Sequence, residues 1–178
     1  MGIKTDKRKQ QTSGTGKISS QIDVDIAWFN ERLMPDKNFD VIYRVITVGE
    51  RKSSFYFIDG FCKDELMQKL LQYFMDITGK EMPSTVEEMS KRFMPYVEVD
   101  LEADKEKILQ FILSGVVALF IDGYDKCLLI DSRTYPARSV SEPEKDKTLR
   151  GSKDGFVETI VFNTALIRRR IRDTSLCM

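Results

Sequence analysis

Asp59, Asp122 and Asp131 each follow an apolar stretch of strand character, a position where catalytic carboxylates often stand. Carboxylate-dependent hydrolysis would require two of these side chains to converge in a cleft, and nothing in the sequence pairs them with a base or a metal. The duller role fits each of them: an aspartate after a strand bonds its own backbone and shapes a turn. The chain has no histidine. That removes the Ser-His-Asp and Cys-His nucleophiles, histidine metal ligation and the commonest proton shuttle near neutral pH. Cys62, Cys127 and Cys177 are odd in number and lack zinc spacing, which suits a reducing compartment. The stretch GTGKIS at residues 14–19 falls short of a phosphate loop, with Gln11 where glycine is needed and Ile18 where the hydroxyl residue is needed. No catalytic residue, cofactor or metal site is expected.

The remaining concentration of chemistry is cationic. Arg168, Arg169, Arg170 and Arg172 put four guanidinium groups into five positions, and a guanidinium makes forked bonds to carboxylates or phosphates. Lys plus Arg equal Asp plus Glu at 28 each, so a polyanion could be held only by a local patch. Glu142, Glu144, Asp146 and Glu158 offer carboxylates nearby in sequence. Three readings stay open: a salt-bridge cluster joining a connector to a helix, a contact with a partner or subunit, and a contact with anionic lipid or another polyanion. The aromatics are interleaved with Ile, Val and Leu rather than with Lys and Arg, which argues against a nucleic-acid surface.

The elements that must position these residues follow from periodicity. A chain of 178 residues, 42% hydrophobic and 31% charged, fits one globular unit with a partial second one. Residues 1–21 are polar without apolar period and are expected to be a disordered tail. Ile22, Ile26, Phe29 and Leu33 predict a helix that ends by Pro35, with Asp23 and Asp25 at its positive end. Residues 39–49 and 53–60 predict an antiparallel hairpin. Leu66, Leu70, Phe74 and Ile77 mark a second helix with Gly79 as its C-cap. Ser84 and Glu87 have capping-box spacing for a short helix ending at Pro95. An extended piece and a helix over 104–113 come next, then a second hairpin turning at Asp122-Gly123.

Residues 133–140 could add an edge strand, and residues 142–155 read as a connector. Beyond it, Phe156, Ile160, Thr164, Ile167 and Ile171 fall on one line, widened by Val157, Val161 and Ala165, which predicts an amphipathic helix of about four turns. The longest apolar stretch, residues 111–121, is well short of the roughly 20 residues needed to span a bilayer as a helix. The order predicts an α/β sandwich of helices around a mixed or mainly antiparallel sheet, not a dinucleotide-binding doubly wound fold. Its divisions are a tail (1–21), a first α/β subdomain (22–141), a connector (142–155) and the opening helix of a second subdomain (156–178). Phe57–Phe61 and Phe120–Tyr124 echo one another as a strand followed by Asp-Gly and an aromatic, a pattern too short to establish duplication.

Glu142-Pro143, Arg150-Gly151, Gly155-Phe156, Glu158 and the run NTALIRRRI at residues 163–171 resemble the signature of the A-subunit family of spore germinant receptors, in particular the branch named for stage V of sporulation. The resemblance extends more loosely back to about Phe39. It implies a spore inner-membrane protein whose soluble N-terminal region, two α/β subdomains on the spore-core side, precedes transmembrane helices. The family acts in germination, where nutrient sensing leads to release of ions and dipicolinate. By this resemblance Glu142, Arg150, Gly155, Glu158, Asn163, Arg168, Arg169 and Arg170 couple subdomains or subunits of a membrane germination complex, with a homo-oligomer as one form of it. The alternative is a small-molecule domain that binds a germinant or dipicolinate near the connector.

Overall fold

Strand residues in the computed structural model alternate between two apolar clusters, one on each face of a five-stranded sheet. The structure describes residues 16–62, 64–94, 98–134 and 156–178. Helix α1 (Ile22–Leu33) leads into the hairpin β1 (Val41–Val48) and β2 (Arg51–Ile58), followed by α2 (Asp64–Met75) and α3 (Val86–Phe93). Strand β3 (Val99–Glu102), helix α4 (Lys105–Leu113), the hairpin β4 (Val117–Ile121) and β5 (Cys127–Ile130), and α5 (Ile160–Arg170) complete the order. The sheet runs β1-β2-β4-β5-β3, and every pairing among the described residues is antiparallel. The α/β sandwich expected from the sequence is the fold observed.

On one face Tyr56, Ile58, Ala118 and Phe120 pack against Phe29 and Leu33 of α1 and Ile108 and Ile112 of α4. On the other, Phe55, Val117, Leu119 and Ile121 meet Leu70 and Phe74 of α2 and Met89 of α3. Because helices cover both faces, β4 and β5 are buried at every position and read as continuous apolar runs instead of alternating ones.

Several local expectations are corrected. The first hairpin turns at Gly49-Glu50, both with positive φ (53° and 66°), the mirror-image geometry that suits two-residue hairpin loops. Helix α2 stops at Met75, and Gly79 opens a short 3₁₀ turn instead of capping it. The buried line of α2 is Met67, Leu70 and Phe74, with Leu66 turned outward. The N-cap of α3 is Thr85, whose hydroxyl accepts from the Glu88 N–H at 3.3 Å, one residue later than Ser84. A capping box does form, but between Thr78 and Glu81.

Residues 16–21, expected within a disordered tail, form a strap across one end of the sheet. Lys105 N–H donates to Gly16 O and Ile18 N–H to Ala103 O, both at 2.8 Å, and Gly123 N–H donates to Ser20 O at 2.9 Å. The strap is tied down by the Asp25 carboxylate, which accepts the Ser19 N–H at 2.9 and 3.1 Å and pairs with Lys105 Nζ at 2.9 Å. Both side chains of that pair are almost fully buried. Composition marked this segment as polar, but its backbone finds partners along the β3–α4 junction, and that decides its order. Burial pushes the Asp25 carboxyl above its ordinary range, outweighing the opposing pull of Lys105 and the Ser19 N–H.

Candidate functional site: a buried arginine joint

Asp40 lies at the entry to β1, and Arg168 stands 128 positions later in the last turn of α5. The two meet in a fork: Arg168 Nε donates to Asp40 Oδ2 at 2.7 Å and Nη2 donates to Asp40 Oδ1 at 2.9 Å. Both side chains are 1% exposed. The third guanidinium nitrogen, Nη1, donates to the carbonyls of Leu176 at 3.1 Å and Asp173 at 3.3 Å. Arg168 thus joins α5, the α1–β1 loop and the terminal residues 171–178, which fold back as a hook. A buried charge needs a partner and further hydrogen bonds, and this site supplies both.

The loop under Arg168 distributes these contacts. Asn38 Nδ2 donates to Leu33 O at 2.8 Å, tying the loop to the end of α1. Met178 N–H donates to Asn38 Oδ1 at 2.9 Å, and Phe39 N–H donates to Met178 O at 3.2 Å, fastening the hook. Asp59 N–H donates to Asp40 O at 2.8 Å, and Thr134 N–H donates to Phe61 O at 2.7 Å where the chain leaves β5. The turn 59–61 is therefore bonded to the Arg168 loop on one side and to the β5 exit on the other.

Gly60 sets how closely α5 approaches. Its φ is +80°, and a Cβ there would lie 3.1 Å from Val161 Cγ1 and 3.2 Å from both Ala165 Cβ and Val161 O. Gly60→Val would add a left-handed backbone penalty to this crowding and is expected to cost about 2–3 kcal/mol. A urea titration checks this, and a midpoint equal to that of the unsubstituted chain contradicts it.

Helix α5 turns an unexpected face inward. Thr164, Ala165 and Arg168 are buried, whereas Phe156 (69% exposed), Ile160 (66%), Phe162 (44%) and Ile171 (47%) face outward. Of the stripe predicted for this helix, Thr164 and Ala165 are the buried members. The reason lies in the receiving surface: Gly60 leaves room only for small side chains, and Asp40 receives the guanidinium. The helix is also shorter than the four turns expected, because residues 156–159 run irregularly into it. Asn163 holds that lead-in, with Val157 N–H donating to Asn163 Oδ1 at 2.8 Å and Asn163 Nδ2 donating to Val157 O at 2.6 Å.

Of the residues expected to couple units, Arg168 and Asn163 occupy positions that order α5. Glu158, Arg169 and Arg170 are exposed, and Glu142, Arg150 and Gly155 lie outside the described residues, as do the connector and the expected edge strand from residue 135 on. The acidic partner of Arg168 is Asp40 and not one of the carboxylates weighed beforehand. Sequence reasoning missed Asp40, Asn38 and Gly60. One signal was available for Asp40: a carboxylate set between Phe39 and Val41 at the mouth of a strand.

The three aspartates first considered for hydrolysis each have a separate partner. Asp122 follows β4 and accepts the Ile22 N–H at 3.0 Å, at the end of the sheet opposite the exits of β2 and β5. Asp59 accepts the N–H of its own turn at Gly60 (2.9 Å). Asp131 bonds Arg133 Nε at 2.8 Å, and the Arg133 contact holds its carboxyl below the usual range. A shallow concavity between the strap and the sheet, lined in part by Ser19, Asp25, Tyr124 and Lys126, encloses essentially no volume, against the roughly 300–1,000 Å³ of ordinary ligand pockets. No helix among the described residues is long and apolar enough to cross a membrane.

Comparison with known proteins meets this geometry from the other side. The Bacillus/Clostridium GerA spore germination protein family matches residues 28–178. The chain is 33% identical over 150 residues to stage V sporulation protein AF of Bacillus subtilis (strain 168), covering 84% of this chain and 30% of that protein. It is 31% identical over 146 residues to spore germination protein B1 of the same organism, covering 79% of this chain and 29% of that one. The chain therefore spans under a third of the length of these relatives. Its fold resembles the crystal structure of the N-terminal domain of the A subunit of the Bacillus megaterium spore germinant receptor GerK3. That match has a TM-score of 0.66 and 19% identity, and it covers 90% of this chain and 58% of that one.

Proposed function

Because the chain belongs to the GerA family of spore germination proteins, we propose that it is the mechanical part of an N-terminal module in a longer membrane-anchored germination protein, coupling neighbouring units instead of catalysing a reaction. In this reading the module faces the spore core from the inner membrane and works beside other subunits of a germination complex that releases ions when nutrient is sensed. The first α/β unit is one body, α5 is the link, and the unit that follows in longer relatives packs on the outward side of α5.

One observation carries this reading: α5 buries an arginine and exposes Ile160 and Phe162, with Phe156 and Ile171 exposed just beyond its two ends. A helix that ended its structural task on the first unit would bury the apolar residues and solvate the charge. The inverted arrangement supports a helix that serves two bodies, held to one by the Arg168 fork and offering its apolar flank to the other.

The test uses the longer protein in spores. Arg168→Glu sets a second carboxylate against Asp40, so nutrient-triggered germination is expected to slow markedly at equal protein abundance. Normal germination with the substituted protein present at its usual level would contradict the coupling role.

A further inference from the structure

We infer that α5 and the hook, residues 160–178, form a latch that undocks from the first α/β unit as one piece while the sheet stays folded. The inference rests on the coupling role proposed above and names how that joint is regulated.

The attachment of α5 is polar where the rest of the fold is apolar. Thr164, Ala165 and Arg168 are its buried residues, and Ala165 is its contribution to the apolar cluster on that face. The central strands, by contrast, bury Phe55, Tyr56, Ile58 and Leu119 completely. A buried ion pair gives little net stabilisation, because the hydration lost by both charges offsets their attraction. Releasing Arg168 and Asp40 to water restores that hydration, whereas separating the sheet from α1 or α4 would expose large apolar surfaces. Segments with few buried apolar contacts open before the core does.

The hook must move with the helix. Arg168 Nη1 holds the Asp173 and Leu176 carbonyls, so a guanidinium that leaves Asp40 carries its own anchor for residues 173–176 away from the loop. Among the described residues the hook is also paired through Met178, which donates to Asn38 and accepts from Phe39. The release also reaches beyond α5. Asp40 accepts Asp59 N–H, and Phe61 in the same turn accepts Thr134 N–H, so the loop freed by Arg168 is bonded to the point where the chain leaves β5. Docked and undocked α5 thus bias the turn 59–61 differently.

Hydrogen exchange read by mass spectrometry on the 178-residue chain tests the latch. Peptides from 160–178 are expected to exchange together, about a hundredfold or more faster than amides of β2 and β4. Arg168→Gln should speed that block by roughly a further hundredfold, with β2 and β4 changing far less and Arg168→Lys falling between. Equal exchange of α5 and the central strands in the unsubstituted chain would overturn the latch, and so would equal acceleration of both by Arg168→Gln. The exchange result is separable from the germination test: block exchange beside normal germination of the Arg168→Glu spores keeps the latch and removes the coupling role. Impaired germination without block exchange does the reverse.

Discussion

Lys105→Met is expected to cost the chain about 3–5 kcal/mol at neutral pH, lowering its melting temperature by roughly 10 °C. Lys105 Nζ lies 2.9 Å from Asp25 Oδ1 with both side chains nearly excluded from solvent. Removing the ammonium leaves a buried carboxylate supported only by the Ser19 N–H contacts. The loss should fall on the whole fold, because this pair ties α1, α4 and the strap together beside the sheet. The pH dependence has a definite sign. The folded-state pKa of Asp25 is already raised by burial, and loss of Lys105 raises it further. A raised carboxyl pKa adds stability in the protonated form, present below the unfolded value and lost as pH rises through the folded one. The deficit of Lys105→Met should therefore shrink as the solution is acidified through that folded pKa and be largest at neutral pH. Thermal melts across this range check it, and a deficit that grows on acidification would contradict the assignment.

Arg168→Gln has a second large effect of a different kind. It deprives Asp40 of its fork and takes the guanidinium donor from the Leu176 and Asp173 carbonyls, the latter keeping the Leu176 N–H. If α5 undocks separately, the loss to global stability is capped by the free energy of undocking, so the melting temperature falls less than for Lys105→Met. Local exposure rises instead. Trypsin cleavage after Arg169, Arg170 and Arg172 tracks the population of the open form and is expected to accelerate by about a hundredfold, leaving a product that retains the sheet. Unchanged cleavage, or wholesale digestion of the sheet at the same rate, would contradict this.

The contrast between these two buried pairs explains what could be read from the sequence. Helices and strands were legible where local composition carried the signal: Ile22, Phe29 and Leu33 for α1, the β-branched run of β1 and the aromatic run of β2. The sandwich followed from their order. The partners of charged residues were not legible. Asp25 looked like a helix-dipole residue and is a buried ligand for Lys105, while Arg168 was read as one member of a four-arginine cluster and is the one that is buried. In each case the decisive partner comes from another segment, Asp40 in place of the Glu142, Glu144, Asp146 or Glu158 weighed for the arginines, and local periodicity carries no information about a contact 80 or 128 positions away. The face of α5 was misread for a related reason. Hydrophobic spacing says which residues prefer burial, but the surface offered by Gly60 and Asp40 fits small side chains and a guanidinium, and that surface decides.

Apolar residues left outside on α5 also alter the meaning of the arginine run. Its members differ in kind: Arg168 is internal, whereas Arg169, Arg170 and Arg172 are exposed. Charge reversal across the whole run would confuse an effect on docking with an effect on a surface, so single substitutions at Arg168 are the informative ones.

The most direct measurement of the joint is a double-mutant cycle of Asp40→Asn and Arg168→Gln, with the undocking free energy of α5 taken from hydrogen exchange. If the two side chains hold α5 through one another, each single substitution loses most of the docking energy and the double loses little more, giving a coupling of about 1.5 kcal/mol or more. Additive losses, with a coupling within about 0.5 kcal/mol of zero, would show that Arg168 and Asp40 act independently and that α5 is held by something other than this pair.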